Sequence, residues 1–241
     1  MANTYLQMAV TGNRKTCEGV DVDEILIQQA TKIKLKNVRA NRIIFAKENT
    51  DIEIDGFELV STSSMPFLCQ YPSTGLSGIH ICNGLIDTSK SLDVTGDLQA
   101  MSFRNALLEY ISIHDILFKG HCVNAFAMYK TATSAWRNID VHHLYVMLGR
   151  NVSNSATSGG IHIGSDNPAG SLATNSKFHD CFVRDTVGFA IRRKDFGAEL
   201  ENIIGQNCTA PNDIYGAPNI LSGESLEDIR ARVISRLRMA A

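Results

Sequence analysis

The stretch Ile111-Ser112-Ile113-His114-Asp115-Ile116 decides the fold, because its pattern recurs along the chain. Each copy has two apolar residues separated by one residue, usually with a polar turn residue and a further apolar residue soon after. Weaker copies occupy 177–181 and 199–203. The clear copies begin at residues 33, 52, 79, 111 and 139, so they lie 19, 27, 32 and 28 residues apart. Irregular periods of this size predict a solenoid of stacked units with insertions.

The repeated pattern has a period of two, which predicts strands with one apolar face. Ile33 and Leu35, for example, would point inward, and parallel stacking would bury such residues as apolar ladders. Polar residues soon after each strand would stack at one corner and hydrogen-bond the turn backbone. These residues are Asn37, Asn83, Asp115, Asp180 and Asn202, with His143 at the same position. The alternative interpretation is that they are isolated turn residues.

A second pattern follows the first and begins at Asn or Gly, which tolerate left-handed backbone conformations. Its copies occupy 124–129, 160–165 and 188–193, with a less certain copy at 98–104. Phe126 and Met128 would point inward in the first of these copies. His162 and Arg192 would point outward in the later two.

The ends of the chain are typical of caps. Residues 23–30 predict a short helix or first strand that covers the open N-terminal coil. Residues 211–223 predict a surface tail, and Ser225 begins an amphipathic helix with Leu226, Ile229, Val233 and Leu237 on its apolar stripe. We therefore divide the chain into a repeat domain, 1–210, and a tail with a helix, 211–241. The helix would cover the last coil or, as a second interpretation, form a homo-oligomer contact.

The composition narrows the classes of function. The net charge of −2 provides no basic surface for nucleic acid, and no apolar run is long enough to span a membrane. The start of the chain lacks a signal-peptide pattern, which predicts a cytoplasmic location or a place in a phage structural particle. The six cysteines are dispersed and contain no CxxC pair, so we predict buried thiols, no metal site and no cofactor.

Residues 158–192 resemble a known family. The segment Ser158-Gly159-Gly160-Ile161-His162-Ile163-Gly164-Ser165, the strand 176–183 and the segment 187–192 are similar to three consecutive motifs of polygalacturonases. The repeats over about 30–210 resemble right-handed parallel β-helix proteins of the pectin-lyase-like superfamily. The resemblance implies an all-β fold, a single-stranded right-handed parallel β-helix (solenoid), here with a C-terminal amphipathic capping helix.

The departures from that family matter as much as the likeness. The histidine of the family motif falls on Gly159, and its Arg and Lys fall on Ala190 and Arg192. The upstream repeats contain neither an Asn-Thr-Asp motif nor an Asp-Asp pair. Inverting glycoside hydrolysis needs two facing carboxyl groups, so polygalacturonase chemistry is not expected.

In the superfamily the second pattern lies on the sheet that carries the substrate groove, and this would bring three residues together. His162 would exchange a proton near neutral pH, Tyr129 would protonate a leaving oxygen, and Arg192 would pair with a uronate carboxylate. The alternative is that these are ordinary exposed strand residues. The residues expected nearby to bind substrate are Arg104, Lys130, Trp136, Ser165, Asp166, Arg193 and Lys194.

Other histidines fit a site less well from the sequence. His80, His114 and His179 belong to the first pattern, on a different sheet. His142 and His143 are adjacent, and adjacent strand residues face opposite sides, so a shared ion is not expected there.

Three functions follow from these observations. The first is an enzyme that acts on an acidic (uronate) glycan by β-elimination or epimerisation, as a lyase or isomerase. The second is a non-catalytic glycan-binding or phage-type adhesion module, which a trimeric state would favour. The third is a cytosolic small-molecule isomerase or cyclase. The fold alone does not choose among them.

Overall fold

The structure is a computed structural model that describes residues 6–62, 65–70, 75–91, 99–104, 107–120, 122–130, 136–148, 159–165, 173–184, 189–194, 197–206 and 208. Within these ranges the regular elements are strands, and no helix is present. The strands are β1 Gln7–Glu18, β2 Asp21–Val60, β3 Phe67–Gln70, β4 Gly75–Asp87, β5 Gln99–Arg104, β6 Leu107–Gly120, β7 Asn124–Lys130, β8 Trp136–Leu148, β9 Gly159–Ser165, β10 Lys177–Arg184, β11 Phe189–Lys194 and β12 Glu199–Gln206.

The strands form one parallel sheet that curls from β2 in two directions. On one side the neighbours are β3, β5, β7, β9 and β11, and on the other they are β4, β6, β8, β10 and β12. β1 pairs with β2 outside this path. Strands that are two apart in chain order, such as β4 and β6, are therefore neighbours in the sheet, as expected for a chain that winds in successive coils. This confirms the all-β class and the parallel, solenoid-like stacking predicted from the repeats.

The first sequence pattern forms the even-numbered side of the sheet in the predicted register. Ile52 pairs with Ile79, Ile79 with Ile111, and Ile111 with Ile139. All four side chains are buried, as are the inward residues two positions later in each strand. Stacked isoleucines remove a continuous apolar column from water, which is the main source of stability in such a fold.

The odd-numbered side contains the second pattern and a column of aromatic rings. Rings of Phe45, Phe67, Phe103 and Phe126 follow one another with centroids 5.8, 6.1 and 6.0 Å apart. Residues 99–104 of the less certain copy form β5 between β3 and β7, so a strand is confirmed there. Strand β3 was not predicted from the sequence.

The even-numbered strands bend at two columns of residues with φ between 48° and 72°. The first column is Lys32, Asp51, Gly78, Tyr110, Asn138 and Asn175, and the second, five residues later, is Asn37, Gly56, Asn83, Asp115, His143 and Asp180. Asn and Asp tolerate this left-handed conformation better than other non-glycine residues. The predicted polar corner is therefore confirmed at Asn37, Asn83, Asp115 and Asp180. We call the short segments between the columns (33–36, 52–55, 79–82, 111–114, 139–142 and 176–179) the inter-corner face.

The corner conformation can be tested at Asn37, whose side chain is exposed and whose φ is 50°. Asn37→Val is expected to destabilise the protein by about 1–2 kcal/mol, because a β-branched residue is strained in the left-handed region. Asn37→Gly should cost little or nothing, since glycine adopts this φ freely. The measurement is the urea midpoint of each variant. Equal midpoints for the two variants would contradict the assignment of backbone strain.

Of the two predicted caps, the N-terminal one lies within the described residues and the C-terminal one does not. Residues 23–30 form part of β2, so the strand alternative is confirmed, with Ile25 and Ile27 in the core. They do not cover the open N-terminal coil, because β1 pairs in parallel along their outer side. The predicted tail and helix at 211–241 lie outside the described residues. Within the described residues, no helix is long and apolar enough to cross a membrane.

Candidate functional site

The residues predicted as catalytic lie on neighbouring strands of the odd-numbered side. Arg192 on β11 is the register partner of His162 on β9, and Ala127 on β7 is the partner on the other side. Tyr129 pairs with Gly164, two positions further along the strands. The backbone register therefore places these three positions on adjacent strands.

The surface that His162 belongs to is not an open groove. His162 is 7% exposed, and its register neighbours Ala127 and Ser102 are 0% exposed. The Ser102 hydroxyl donates a hydrogen bond of 2.7 Å to the Gln99 side-chain oxygen, in a buried position. The expectation that His162 projects into solvent is wrong, because this face of the strands is covered as well as the inner one.

The residues predicted to bind substrate do not all lie beside the three predicted catalytic positions. Trp136 is 1% exposed at the start of β8, so its ring packs in the core and does not line a groove rim. Arg104 pairs in register with Tyr129, and Lys130 pairs with Ser165. Arg193 and Lys194 pair with Ile163 and Gly164. Asp166 lies outside the described residues.

The inter-corner face and its second column of bends concentrate histidines that the sequence argument set aside. Five of the seven histidines of the chain lie there: His80, His114, His142, His143 and His179. His114, His142 and His179 are register partners on β6, β8 and β10. Their rings stack with centroids 4.7 and 4.9 Å apart and interplanar angles of 3° and 18°. The strand spacing of a parallel sheet imposes this stacking on identical outward positions.

Carboxylates hold the outer two rings of this column. His114 Nδ1 lies 2.7 Å from an Asp115 oxygen, and His179 Nδ1 lies 2.7 Å from an Asp180 oxygen. His179 also contacts Asp140 through Nε2 at 3.1 Å. In both pairs the acid is the corner residue directly after the histidine, so the left-handed bend turns the carboxylate back toward the ring.

The pair His142 and His143 shows why the sequence argument failed here. Their Nδ1 atoms are 2.7 Å apart, although adjacent strand residues normally face opposite sides. His143 has a φ of 52°, so the alternation is interrupted at this residue. Burial, with the neighbouring His143, lowers the pKa of His142 to about 4, and burial also lowers the pKa of His80. The His142 ring is therefore neutral near pH 7, and a neutral imidazole can bind a metal ion through a ring nitrogen.

A cysteine continues the same column on β4. Cys82 pairs in register with His114, and with Asp55 on its other side. Its sulfur lies 3.5 Å from the Asp55 carboxylate, and burial raises the pKa of Cys82 to about 12. The thiol therefore keeps its proton in this environment and donates a hydrogen bond to the carboxylate.

The first column of bends adds an exposed aromatic side chain and two pockets beside the inter-corner face. Tyr110 is 62% exposed and lies between Gly78 and Asn138 in that column. Gly78 lines a shallow pocket of about 260 Å³ with Lys32, Lys34 and His80. On the other side, Asn138 lines a pocket of about 440 Å³ with Asp140, Lys177 and His179. One exposed aromatic ring thus lies between two surface pockets.

No protein-family model, curated protein or solved structure matches the chain. The site must therefore be interpreted from its own chemistry. The sequence contained one usable signal for it. The position directly before the corner residue is occupied in consecutive copies by Cys82, His114, His142 and His179. In a parallel stack, equal positions become neighbours, so this column was predictable from the alignment of the repeats.

Proposed function

We propose that the curled sheet is a right-handed parallel β-helix of the pectin-lyase-like type and that the protein is a glycan-binding module. The register of the coils and the resemblance of residues 158–192 support the fold. The proposed fold includes the C-terminal amphipathic helix as a cover for the last coil. Binding without catalysis is favoured over elimination because His162 is buried.

The observation that carries the proposal is the exposure of Tyr110 between the two pockets. A tyrosine ring offers a flat apolar face for a sugar ring and a hydroxyl for hydrogen bonding. Neighbouring strands are about 4.8 Å apart, so a chain of sugars that crosses the strands meets Tyr110 and then a pocket on either side. The first column of bends and the adjoining inter-corner face are thus proposed as the glycan-binding surface.

Carboxylates line both pockets, and one lysine in the first pocket is available to attract an acidic glycan. Lys32 is exposed at the first column of bends and makes no ion pair with a described residue. Lys34 beside it pairs with Glu53 at 2.6 Å, and Lys177 in the other pocket pairs with Glu201. A uronate carboxylate can approach Lys32 directly, and exposed pairs of this kind exchange partners at little cost.

The test is a binding titration of the protein with polyuronate oligosaccharides and matched neutral oligosaccharides. Tyr110→Ala is expected to weaken binding about tenfold, since a stacking contact contributes about 1.4 kcal/mol. Tyr110→Phe should retain most of the affinity because the ring remains. Leu107→Ala is a matched control, since Leu107 is 46% exposed on the same strand. Unchanged binding by Tyr110→Ala would refute this surface, and failure of both glycan classes to bind would refute the function.

A second candidate, the uronate lyase, is supported by one observation: Arg192 is the direct register partner of His162. An arginine that pairs with the substrate carboxylate acidifies the neighbouring proton, which His162 would remove. This reaction requires that His162 become accessible to the substrate. Ultraviolet absorbance of unsaturated products, with His162→Ala and Arg192→Ala as variants, distinguishes it from binding alone.

A further inference from the structure

Three side chains from two neighbouring strands bring nitrogen and sulfur atoms close to one another. His80 and Cys82 are two residues apart on β4, so they share a face of the strand, and His114 is the register partner of Cys82 on β6. One ligand atom from each of the three lies within 4.8 Å of the others. The His80 and His114 rings have centroids 5.0 Å apart.

The donor set defines the kind of ion. Zinc binds imidazole nitrogen at about 2.0–2.1 Å and thiolate sulfur at about 2.3 Å, in tetrahedral sites with three or four protein ligands. Atoms bound to one such ion lie within about 4 Å of each other. Small side-chain rotations therefore bring the three atoms to one ion. Calcium and magnesium are disfavoured because they prefer oxygen ligands.

The surroundings of the three residues resemble those of a metal site. Asp115, whose side chain is 2% exposed, bonds His114 Nδ1 at 2.7 Å. That contact leaves Nε2 as the nitrogen available to an ion, and carboxylates commonly orient metal-binding histidines in this way. Asp55 places a second carboxylate oxygen 3.5 Å from the Cys82 sulfur, and Asn83 donates a hydrogen bond to the same oxygen at 2.7 Å.

We propose that His80, Cys82 and His114 bind one divalent transition-metal ion of the zinc type, with Asp115 orienting His114. In the metal-free protein the Cys82 thiol keeps its proton and donates a hydrogen bond to Asp55. When the ion binds, the S–H bond breaks, the sulfur–metal bond forms and the proton passes to solvent. The dipositive ion then compensates both the thiolate and the nearby Asp55 carboxylate. The site does not rest on glycan binding, and the two can be tested separately.

The experiment is a titration of the whole chelator-treated protein with Co²⁺, followed by competition with Zn²⁺. We expect one Co²⁺ per chain, with a sulfur-to-cobalt charge-transfer absorption that Zn²⁺ abolishes. Cys82→Ser should remove the charge-transfer absorption. Asp115→Asn should weaken binding roughly 10–100-fold, and His80→Ala or His114→Ala should weaken it more.

Matched controls separate this site from the other histidines and thiols. His179→Ala alters the same histidine column two strands from β6, and Cys17→Ser alters a thiol in β1. Both should leave the titration unchanged. His80 is half-buried, so its variant tests the site even where Cys82→Ser fails to fold. A wild-type protein without the charge-transfer absorption, or an absorption that survives Cys82→Ser, would overturn the proposal. Equal loss of affinity in the His80→Ala and His179→Ala variants would overturn it as well.

Discussion

Replacement of Phe103 by alanine is expected to destabilise the protein by about 3–5 kcal/mol, the range found when a large aromatic side chain is removed from a core. Phe103 is 0% exposed and lies between the rings of Phe67 and Phe126, with centroids 6.1 and 6.0 Å away. The alanine variant loses the buried apolar area and both ring contacts. It also leaves a cavity in the middle of the aromatic column, where the neighbouring coils cannot close it without shifting register.

The chain contains a natural fluorescent probe of unfolding, Trp136, and a suitable control position, Tyr110. Trp136 is the only tryptophan and is 1% exposed, so its fluorescence changes when the core opens in urea. Tyr110→Ala removes an aromatic ring of similar size from an exposed position and should change the stability by no more than about 0.5 kcal/mol. A Phe103→Ala midpoint as close to wild type as that of Tyr110→Ala would contradict the assignment of Phe103 to the core.

Much of the fold was predictable because parallel stacking turns a repeat into a physical column. The isoleucines that begin the copies at 52, 79, 111 and 139 pair in the predicted register. The polar corner follows from the left-handed φ that Asn and Asp tolerate. Strand β3 was missed because it has only four residues, Phe67–Gln70, and no copy of either pattern. The aromatic column was missed for the same reason, since Phe67 belongs to it.

The candidate site was less predictable, for two physical reasons. The alternation of strand residues predicts that His162 points away from the core, but it does not predict whether that outer face is exposed to solvent. The face is buried here, because His162 and its neighbour Ala127 are both buried. The same reasoning separates His142 from His143, although the bend at His143 brings their Nδ1 atoms to 2.7 Å. Alternation predicts direction only where the backbone stays extended.

The second prediction of a large loss of stability concerns Gly84, which occupies a position where the repeat pattern predicts an apolar side chain. The position after the second bend is apolar in the neighbouring coils, where Phe57 and Ile116 occupy it, but Gly84 lies between them in register. A Cβ atom on Gly84 would lie 2.2 Å from two atoms of the Phe57 ring, which is buried. The ring therefore fills the volume that a side chain at residue 84 would occupy. Gly84→Ala is expected to destabilise the protein by about 1–3 kcal/mol through overpacking.

A double-mutant cycle with Phe57→Leu tests this cause directly. The leucine is shorter than the ring, so Gly84→Ala should cost much less in the Phe57→Leu background, and the two changes should not add. Gly75→Ala on the same strand is the matched control, because its Cβ would meet only Glu48 and Leu107 side-chain carbons at 3.9 and 4.0 Å. That substitution should be neutral or stabilising, since alanine restricts the unfolded chain. The urea midpoints of the single and double variants measure the effect of each substitution on stability. Additive effects of Gly84→Ala and Phe57→Leu would show that the cost arises from the backbone at residue 84, because contact with the ring requires the two changes to interact.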